Sequence, residues 1–160
     1  MSAPIQRRNQ GPARYVEAWS WGSVSDDFVR FHVIEKPLLN VCSGAGSFGD
    51  TTVDLYEPAD VKASWTDLPF MDDSYGAVFA DPPWNSGYKS DVSAFMREAL
   101  RIAPVAYMLS PWIYGAGWAR VSAVWVRIAA GVNQPILLAR YERAATQLDL
   151  LADSNGCKSP

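Results

Sequence analysis

Four short apolar runs in the first half of the chain limit what it can fold into. They cover Leu38–Cys42, Thr51–Leu55, Val61–Trp65 and Gly76–Ala80. The runs are brief, contain β-branched or aromatic residues, and are bounded by glycine, acidic or proline residues. These features predict buried strands rather than helices.

Two helices are predicted beside these strands. The clearer one covers Ser90–Ile102, because its apolar residues recur at helical spacing and Pro104 ends it. A shorter helix is expected to have its N-terminal cap at Ser25-Asp26-Asp27 and to end before Pro37. Its apolar residues are Phe28, Phe31, Val33 and Ile34.

Three further strands complete the predicted sheet. They are Val105–Leu109, Ser122–Ile128 and Pro135–Tyr141, the last two joined by a turn at Gly131-Val132-Asn133. The order of elements predicts an α/β fold with a mostly parallel open sheet and a C-terminal antiparallel strand pair. In such sheets, ligands bind at the carboxyl ends of the strands.

The chain has 160 residues, of which 49% are hydrophobic, as expected for one folded domain. We expect that domain to cover residues 23–153, between a loose arm over 1–22 and a frayed tail over 154–160. No apolar run reaches the roughly 18 residues of a membrane span, and no apolar signal core follows Arg7 and Arg8. We therefore expect an intracellular, cytoplasmic protein without membrane contact.

The charge and the metal-binding residue types exclude other classes. A net charge of −3 argues against a protein that holds nucleic acid by bulk positive charge alone. It leaves room for nucleic acid bound locally or with a partner's help. Two cysteines and one histidine are too few for a disulfide framework or a multi-histidine metal centre, so no metal site is expected.

A glycine turn follows the first predicted strand. Gly44-Ala45-Gly46-Ser47-Phe48-Gly49 matches G-x-G-x-x-G, a pattern that lets backbone approach a nucleotide-like ligand closely. Asp54, or else Glu57, would accept hydrogen bonds from ribose hydroxyls at the end of the next strand. Asp54 lies only eight positions after Gly46, too close for a crossover helix. Either a loop replaces that helix, or the two strands form a glycine hairpin with Asp54 on its surface.

The sequence Asp81-Pro82-Pro83-Trp84 directly follows an apolar run. Two consecutive prolines end the strand and leave carbonyl acceptors beside a carboxylate and an aromatic ring. This combination suits a planar group that bears an amine. Asp81 and the Pro82 carbonyl can accept hydrogen bonds from its two N–H groups, while Trp84 stacks on the ring. The alternative is a stiff turn in which Trp84 is part of the core.

Together these residues resemble the class I S-adenosylmethionine-dependent methyltransferases, over roughly residues 38–112. The form D-P-P-W is similar to the fourth motif of nucleic-acid amino-methyltransferases and is typical of those that modify adenine at N6. The resemblance implies a Rossmann-like methyltransferase fold without a separate target-recognition domain. The helix after the first glycine motif would be missing or shortened.

The resemblance also implies S-adenosylmethionine as the cofactor and assigns its contacts. Asp54 would hold the ribose, and Asp67 with Leu68 would hold the adenine. The methionine part would lie on Cys42, Ser43, Gly44, Ala45 and Gly46. Asp81 would border both cofactor and target.

For the target base, the resemblance implies a catalytic group formed by Asp81, Pro82, Pro83 and Trp84. Further substrate contacts are expected from the residues just after this motif and after the fifth strand. With Trp84, these are Asn85, Tyr88, Lys89, Pro111 and Trp112. The implied reaction transfers a methyl group to the exocyclic amine of adenine in DNA or RNA.

Two alternatives remain open at this stage. The acceptor could be the exocyclic amine of guanine in RNA or a protein amide. The chain could also be a catalytically weak partner subunit that keeps the fold. Since it has no recognition module, we expect a homodimer or a partner subunit that helps select the nucleic acid.

Overall fold

The computed structural model of this protein describes residues 23–82, 91–128 and 135–144, and only the backbone of residues 23–26. The arm predicted over 1–22 and the tail predicted over 154–160 lie outside the described residues. In chain order the elements are α1 (Ser23–His32), β1 (Leu38–Val41), β2 (Thr51–Asp54), β3 (Val61–Lys62), β4 (Ala77–Ala80), α2 (Val92–Ile102), β5 (Val105–Ser110), β6 (Ala119–Arg127) and β7 (Ile136–Arg143).

All seven strands form one mixed sheet in the order β3-β2-β1-β4-β5-β7-β6. The neighbours from β3 to β5 pair in parallel, whereas β7 is antiparallel to both β5 and β6. The predicted α/β class, the mostly parallel sheet and the C-terminal antiparallel pair are therefore confirmed. The strand order reverses between β1 and β4, as in Rossmann-like sheets.

The strands differ in detail from the predicted runs. Strand β3 has two residues rather than five, and the chain after it forms a turn that is closed by a bridge between Ser64 and Asp67. Strand β6 begins at Ala119, earlier than expected. Strand β7 inserts between β5 and β6, an arrangement that the sequence pattern did not predict.

The connection from β1 to β2 contains no helix. Leu39 of β1 is level with Thr51 of β2, and the two strands are parallel although only residues 42–50 join them. Parallel strands usually need about a dozen residues or more for this crossover. Of the two arrangements that the short spacing allowed, the structure has the one in which a loop replaces the helix.

The side chain of Phe48 in this loop is buried between the sheet and α1. Its ring meets the Phe79 ring edge-on, with the centroids 5.4 Å apart. The Arg30 guanidinium of α1 lies 5.0 Å from the centroid of the Phe48 ring. Phe48 therefore contributes to the core on the face of the sheet that α1 covers.

Helix α2 covers the other face of the sheet with an apolar stripe. It packs in one cluster with strand residues such as Val78 and Met108. The prediction over Ser90–Ile102 is confirmed from Val92 onward, and the helix ends two residues before Pro104. Its buried residues are Val92, Phe95, Met96, Ala99, Leu100 and Ile102.

Helix α1 differs more from its prediction. It already begins at Ser23, so the cap predicted at residues 25–27 is wrong. Val29 in the helix and Val33 just after its end, four positions apart, are both buried in the core. Phe31 and Ile34 point away from this stripe and are 77% and 71% exposed. Over residues 27–34, whose side chains are described, the segment therefore buries one narrow face.

The segment after α1 is fixed to the sheet by a polar cluster. The Tyr107 hydroxyl donates to Glu35 at 2.7 Å, and the Arg140 guanidinium donates to the same carboxylate at 3.1 Å. Burial, together with the bond to Glu35, raises the pKa of Tyr107 to about 12.

Neither of the two described helices has the length and apolar character needed to cross a membrane.

Candidate active site

Three of the predicted site residues lie at the carboxyl ends of neighbouring strands, at the same level. Val41 of β1 is level with Val53 of β2 and with Ala80 of β4. The next residues on these strands are Cys42, Asp54 and Asp81. Because the strands are parallel, all three residues lie together at the carboxyl ends of β1, β2 and β4, beside the point where the strand order reverses. Open α/β sheets bind ligands at this point.

The glycine turn after β1 is tightly folded. Cys42 and Gly44 both have φ of 56°, a conformation that costs a non-glycine residue energy. The N–H of Ser43 donates to Val53 at 3.1 Å, and the N–H of Gly46 donates back to the Ser43 carbonyl at 3.1 Å. A Cβ atom at Gly46 would lie only 3.1 Å from that carbonyl oxygen. The turn therefore favours glycine at position 46, because any Cβ there would make the Ser43 carbonyl shift by a few tenths of an ångström.

The half-buried carboxylate of Asp54 joins this turn to the end of β2. Its Oδ2 accepts the Gly44 N–H at 3.0 Å. Its Oδ1 accepts the N–H groups of Tyr56 and Glu57 at 2.8 and 2.9 Å. A carboxylate has about four lone-pair sites, so one further acceptor position remains for a ligand hydroxyl. Glu57, the second choice for the ribose contact, lies in the same loop.

Asp67 and Leu68 lie in the loop after β3, and their hydrogen bonds lead away from the glycine turn. The N–H of Asp67 donates to Ser64 at 3.1 Å, and its side chain is exposed. The N–H of Leu68 donates to Glu98 at 3.2 Å, and its carbonyl accepts from Arg101 at 3.2 Å. An adenine contact through the Leu68 N–H would have to replace the bond to Glu98.

The Glu98–Arg101 pair on α2 was missed by the sequence analysis. These residues form an ion pair at 2.8 Å. Arg101 also donates to the Phe70 carbonyl and to Asp72, both at 2.8 Å. The hydrogen bond from Arg101 holds the pKa of Glu98 below its ordinary value, although burial opposes this effect. The i, i+3 spacing of opposite charges was the available signal, but it does not reveal the loop that the pair binds.

A second structural pair fixes the loop between β2 and β3. The Asp60 carboxylate accepts the backbone N–H and the hydroxyl of Thr52, both at 2.8 Å. These bonds hold the pKa of Asp60 below its ordinary value. Lys62 donates to the carbonyl of Tyr56 at 2.9 Å in the same loop. No sequence motif signals these contacts.

The first half of the D-P-P-W motif lies directly after β4. Asp81 is half-buried and Pro82 is buried. Pro83 and Trp84 lie outside the described residues, as do Asn85, Tyr88 and Lys89, so their roles stay predictions.

Pro111 and Trp112 follow β5, the strand beside β4. Met108 is level with Ala80, so β5 continues two residues beyond the end of β4. Both Pro111 and Trp112 are half-buried, and the Ser110 hydroxyl donates to the Trp112 carbonyl. The structure therefore places them after the strand next to the one that Asp81 and Pro82 follow.

Comparisons with known proteins give no family for this chain. A scan against protein-family models finds no match, and a search of curated proteins finds no significant similarity.

Proposed function

We propose that this protein is an S-adenosylmethionine-dependent methyltransferase that modifies the exocyclic amine of adenine in DNA or RNA. One observation carries the proposal. The glycine turn, Asp54 and Asp81 lie at the carboxyl ends of three adjacent strands at the same level, beside the point where the strand order reverses. Methyl transfer needs adjacent donor and acceptor sites, because the two groups must meet in attack geometry.

The residues at the carboxyl ends of these strands fit the ribose and methionine parts of the cofactor. Asp54 keeps an acceptor position for a ribose hydroxyl, and the turn at Gly44–Gly46 presents backbone without bulky side chains. For the adenine part, the exposed carboxylate of Asp67 can accept from an amine. When bound, S-adenosylmethionine supplies an electrophilic methyl group.

The chain itself would orient and activate the acceptor. An amine attached to an aromatic ring is a poor nucleophile because its lone pair is delocalised. In this proposal the Asp81 carboxylate and the Pro82 carbonyl accept hydrogen bonds from its two N–H groups. These bonds favour a pyramidal nitrogen and stabilise the charge that develops on it. Trp84 stacks on the base, which must be single-stranded or flipped out of a duplex.

Calorimetric titration and transfer of labelled methyl to DNA, RNA and protein test the proposal together. We expect S-adenosylmethionine to bind and the label to appear as N6-methyladenine after nucleoside analysis. Label on guanine or on a protein amide would change the acceptor but keep the class of enzyme. Binding without transfer to any substrate would favour the partner subunit. Absence of binding would contradict the proposed cofactor.

A further inference from the structure

Among the strands that the structure describes, β6 is the last one at its side of the sheet. Eight of its nine residues pair with β7, and no described strand pairs with its other side. The other side of an edge strand presents a row of backbone N–H and C=O groups that can pair with another strand. Proteins usually protect such edges with charged side chains, proline, bulges or a very short strand. β6 has a bulge after Val121 and an arginine on either side of its central segment, at Arg120 and Arg127, but the segment between these arginines contains neither a charged residue nor proline.

The same strand exposes an apolar surface. Val124 pairs with the buried residue Ala139, so it lies on the face of the sheet that α2 covers further along. Val124, Val126 and the following residue Ile128 are 36%, 58% and 82% exposed. No charged residue occurs from Val121 to Val126. The strand therefore combines exposed apolar side chains with an uncharged backbone edge.

The regular part of β6 is self-complementary. A register shift lies between Val121 and Ala123, whereas Ala123–Arg127 pairs regularly with β7. The centre of this regular segment is Trp125. If a second copy pairs antiparallel about that point, Val124 of one copy faces Val126 of the other, and Arg127 faces Ala123. Apolar side chains then meet across the axis, and no like charges stand directly opposite each other.

We infer that two copies of this chain form a dimer through antiparallel pairing of β6, with the twofold axis beside Trp125. A twofold interface needs one surface that complements itself, and this segment meets that condition. The sheets of the two copies then join into one. The inference does not depend on the proposed activity, because it uses only the strand order, the exposure and the charge pattern.

Sedimentation of the full-length protein over a range of concentrations tests this inference. We expect a dimer for the wild type. Val126→Lys places a charge twice in a symmetric interface, so it should raise the dissociation constant about 100-fold or more. Met71→Lys is the control, since Met71 is 81% exposed and lies far along the chain from β6. A monomeric wild type, or a Val126→Lys protein that dimerises normally, would overturn the inference.

Hydrogen exchange of the wild type gives a readout that does not depend on any variant. Exchange measured by mass spectrometry at low and high protein concentration should show greater protection of residues 123–127 in the dimer. This result would stand even if Val126→Lys failed to fold. A dimer in which these amides exchange as fast as in the monomer would place the interface elsewhere and contradict the pairing through β6.

Discussion

The carboxylate of Asp54 connects two parts of the candidate site. It accepts one N–H from the glycine turn and two from the loop after β2. From the sequence, Asp54 was predicted by its position at the end of a strand, and only a role in ligand binding was predicted for it. The structure shows that the same carboxylate also fixes the turn.

We predict that Asp54→Ala weakens S-adenosylmethionine binding by about 1–3 kcal/mol, because backbone donors and the ribose lose their acceptor. Calorimetric titration measures the change. Glu57→Ala is the matched control and should have a smaller effect. If Glu57→Ala is the more damaging substitution, the ribose contact belongs to Glu57.

At Asp81 we predict a loss of turnover rather than of cofactor affinity. Removing one preorganised acceptor typically lowers the rate by about 10²–10³-fold, so Asp81→Ala should reduce methyl transfer by that factor. The affinity for S-adenosylmethionine, measured by calorimetric titration, should stay near the wild-type value. If Asp81→Ala keeps near-normal turnover, the motif is only a stiff turn and does not activate the amine.

Trp84→Ala should instead weaken substrate binding by about 1–3 kcal/mol, as expected for loss of a base stack.

Local sequence signals predicted where the strands and helices lie along the chain better than they predicted how these elements are arranged in the sheet. Strands β1, β2 and β4 begin within one residue of their apolar runs, since glycine, proline and acidic residues limit them. The cap predicted for α1 failed because a local Ser-Asp-Asp signal does not reveal where the helix meets the sheet. The position of β7 depends on contacts such as Arg140 with Glu35, 105 residues apart. Such separations leave no periodic pattern in the sequence.

The loop between β1 and β2 leads to a prediction about Phe48. Phe48→Leu keeps an apolar side chain but loses the edge-on contact with Phe79 and the cation–π contact with Arg30. We expect it to lower the free energy of unfolding by about 1–2 kcal/mol and to weaken cofactor binding, because the glycine turn lies in the same loop. Chemical denaturation and calorimetry measure the two effects.

Phe31→Leu is the control for this substitution, because the Phe31 side chain is exposed on α1. It should change neither stability nor binding measurably. If Phe48→Leu lowers stability but leaves cofactor affinity unchanged, Phe48 supports the core and does not position the turn.

For the whole molecule, the carboxylates predict sensitivity to acid. Hydrogen bonds from neighbouring groups lower the pKa of Asp50, Asp60 and Glu98 in the folded chain. Burial raises the pKa of Glu35, but its hydrogen bonds and the charge of Arg140 outweigh that effect, so this pKa is lowered too. When the pH falls through the ordinary carboxyl pKa of about 4, the unfolded chain therefore binds more protons than the folded chain. Their stabilising contribution is present at neutral pH and is lost as the pH falls through the lowered values.

Glu98→Gln tests this prediction at one site. The variant should melt at a lower temperature than the wild type at pH 7 and should lose less stability on acidification, because the ion pair with Arg101 is already absent. Melting curves recorded between neutral pH and about pH 3 measure both effects. If the melting temperature of Glu98→Gln falls with decreasing pH as steeply as that of the wild type, Glu98 does not contribute to the acid sensitivity.

The short crossover also has a consequence for how the chain reaches this fold. Leu39 and Thr51 pair across only 12 residues of chain, whereas Leu38 and Ala77 pair across 39. The entropic cost of closing the shorter loop is lower by about 1 kcal/mol. We therefore expect β1 and β2 to pair early in folding, before β4 joins them. The strand ends that carry the glycine turn and Asp54 would then form before β4 brings Asp81 beside them.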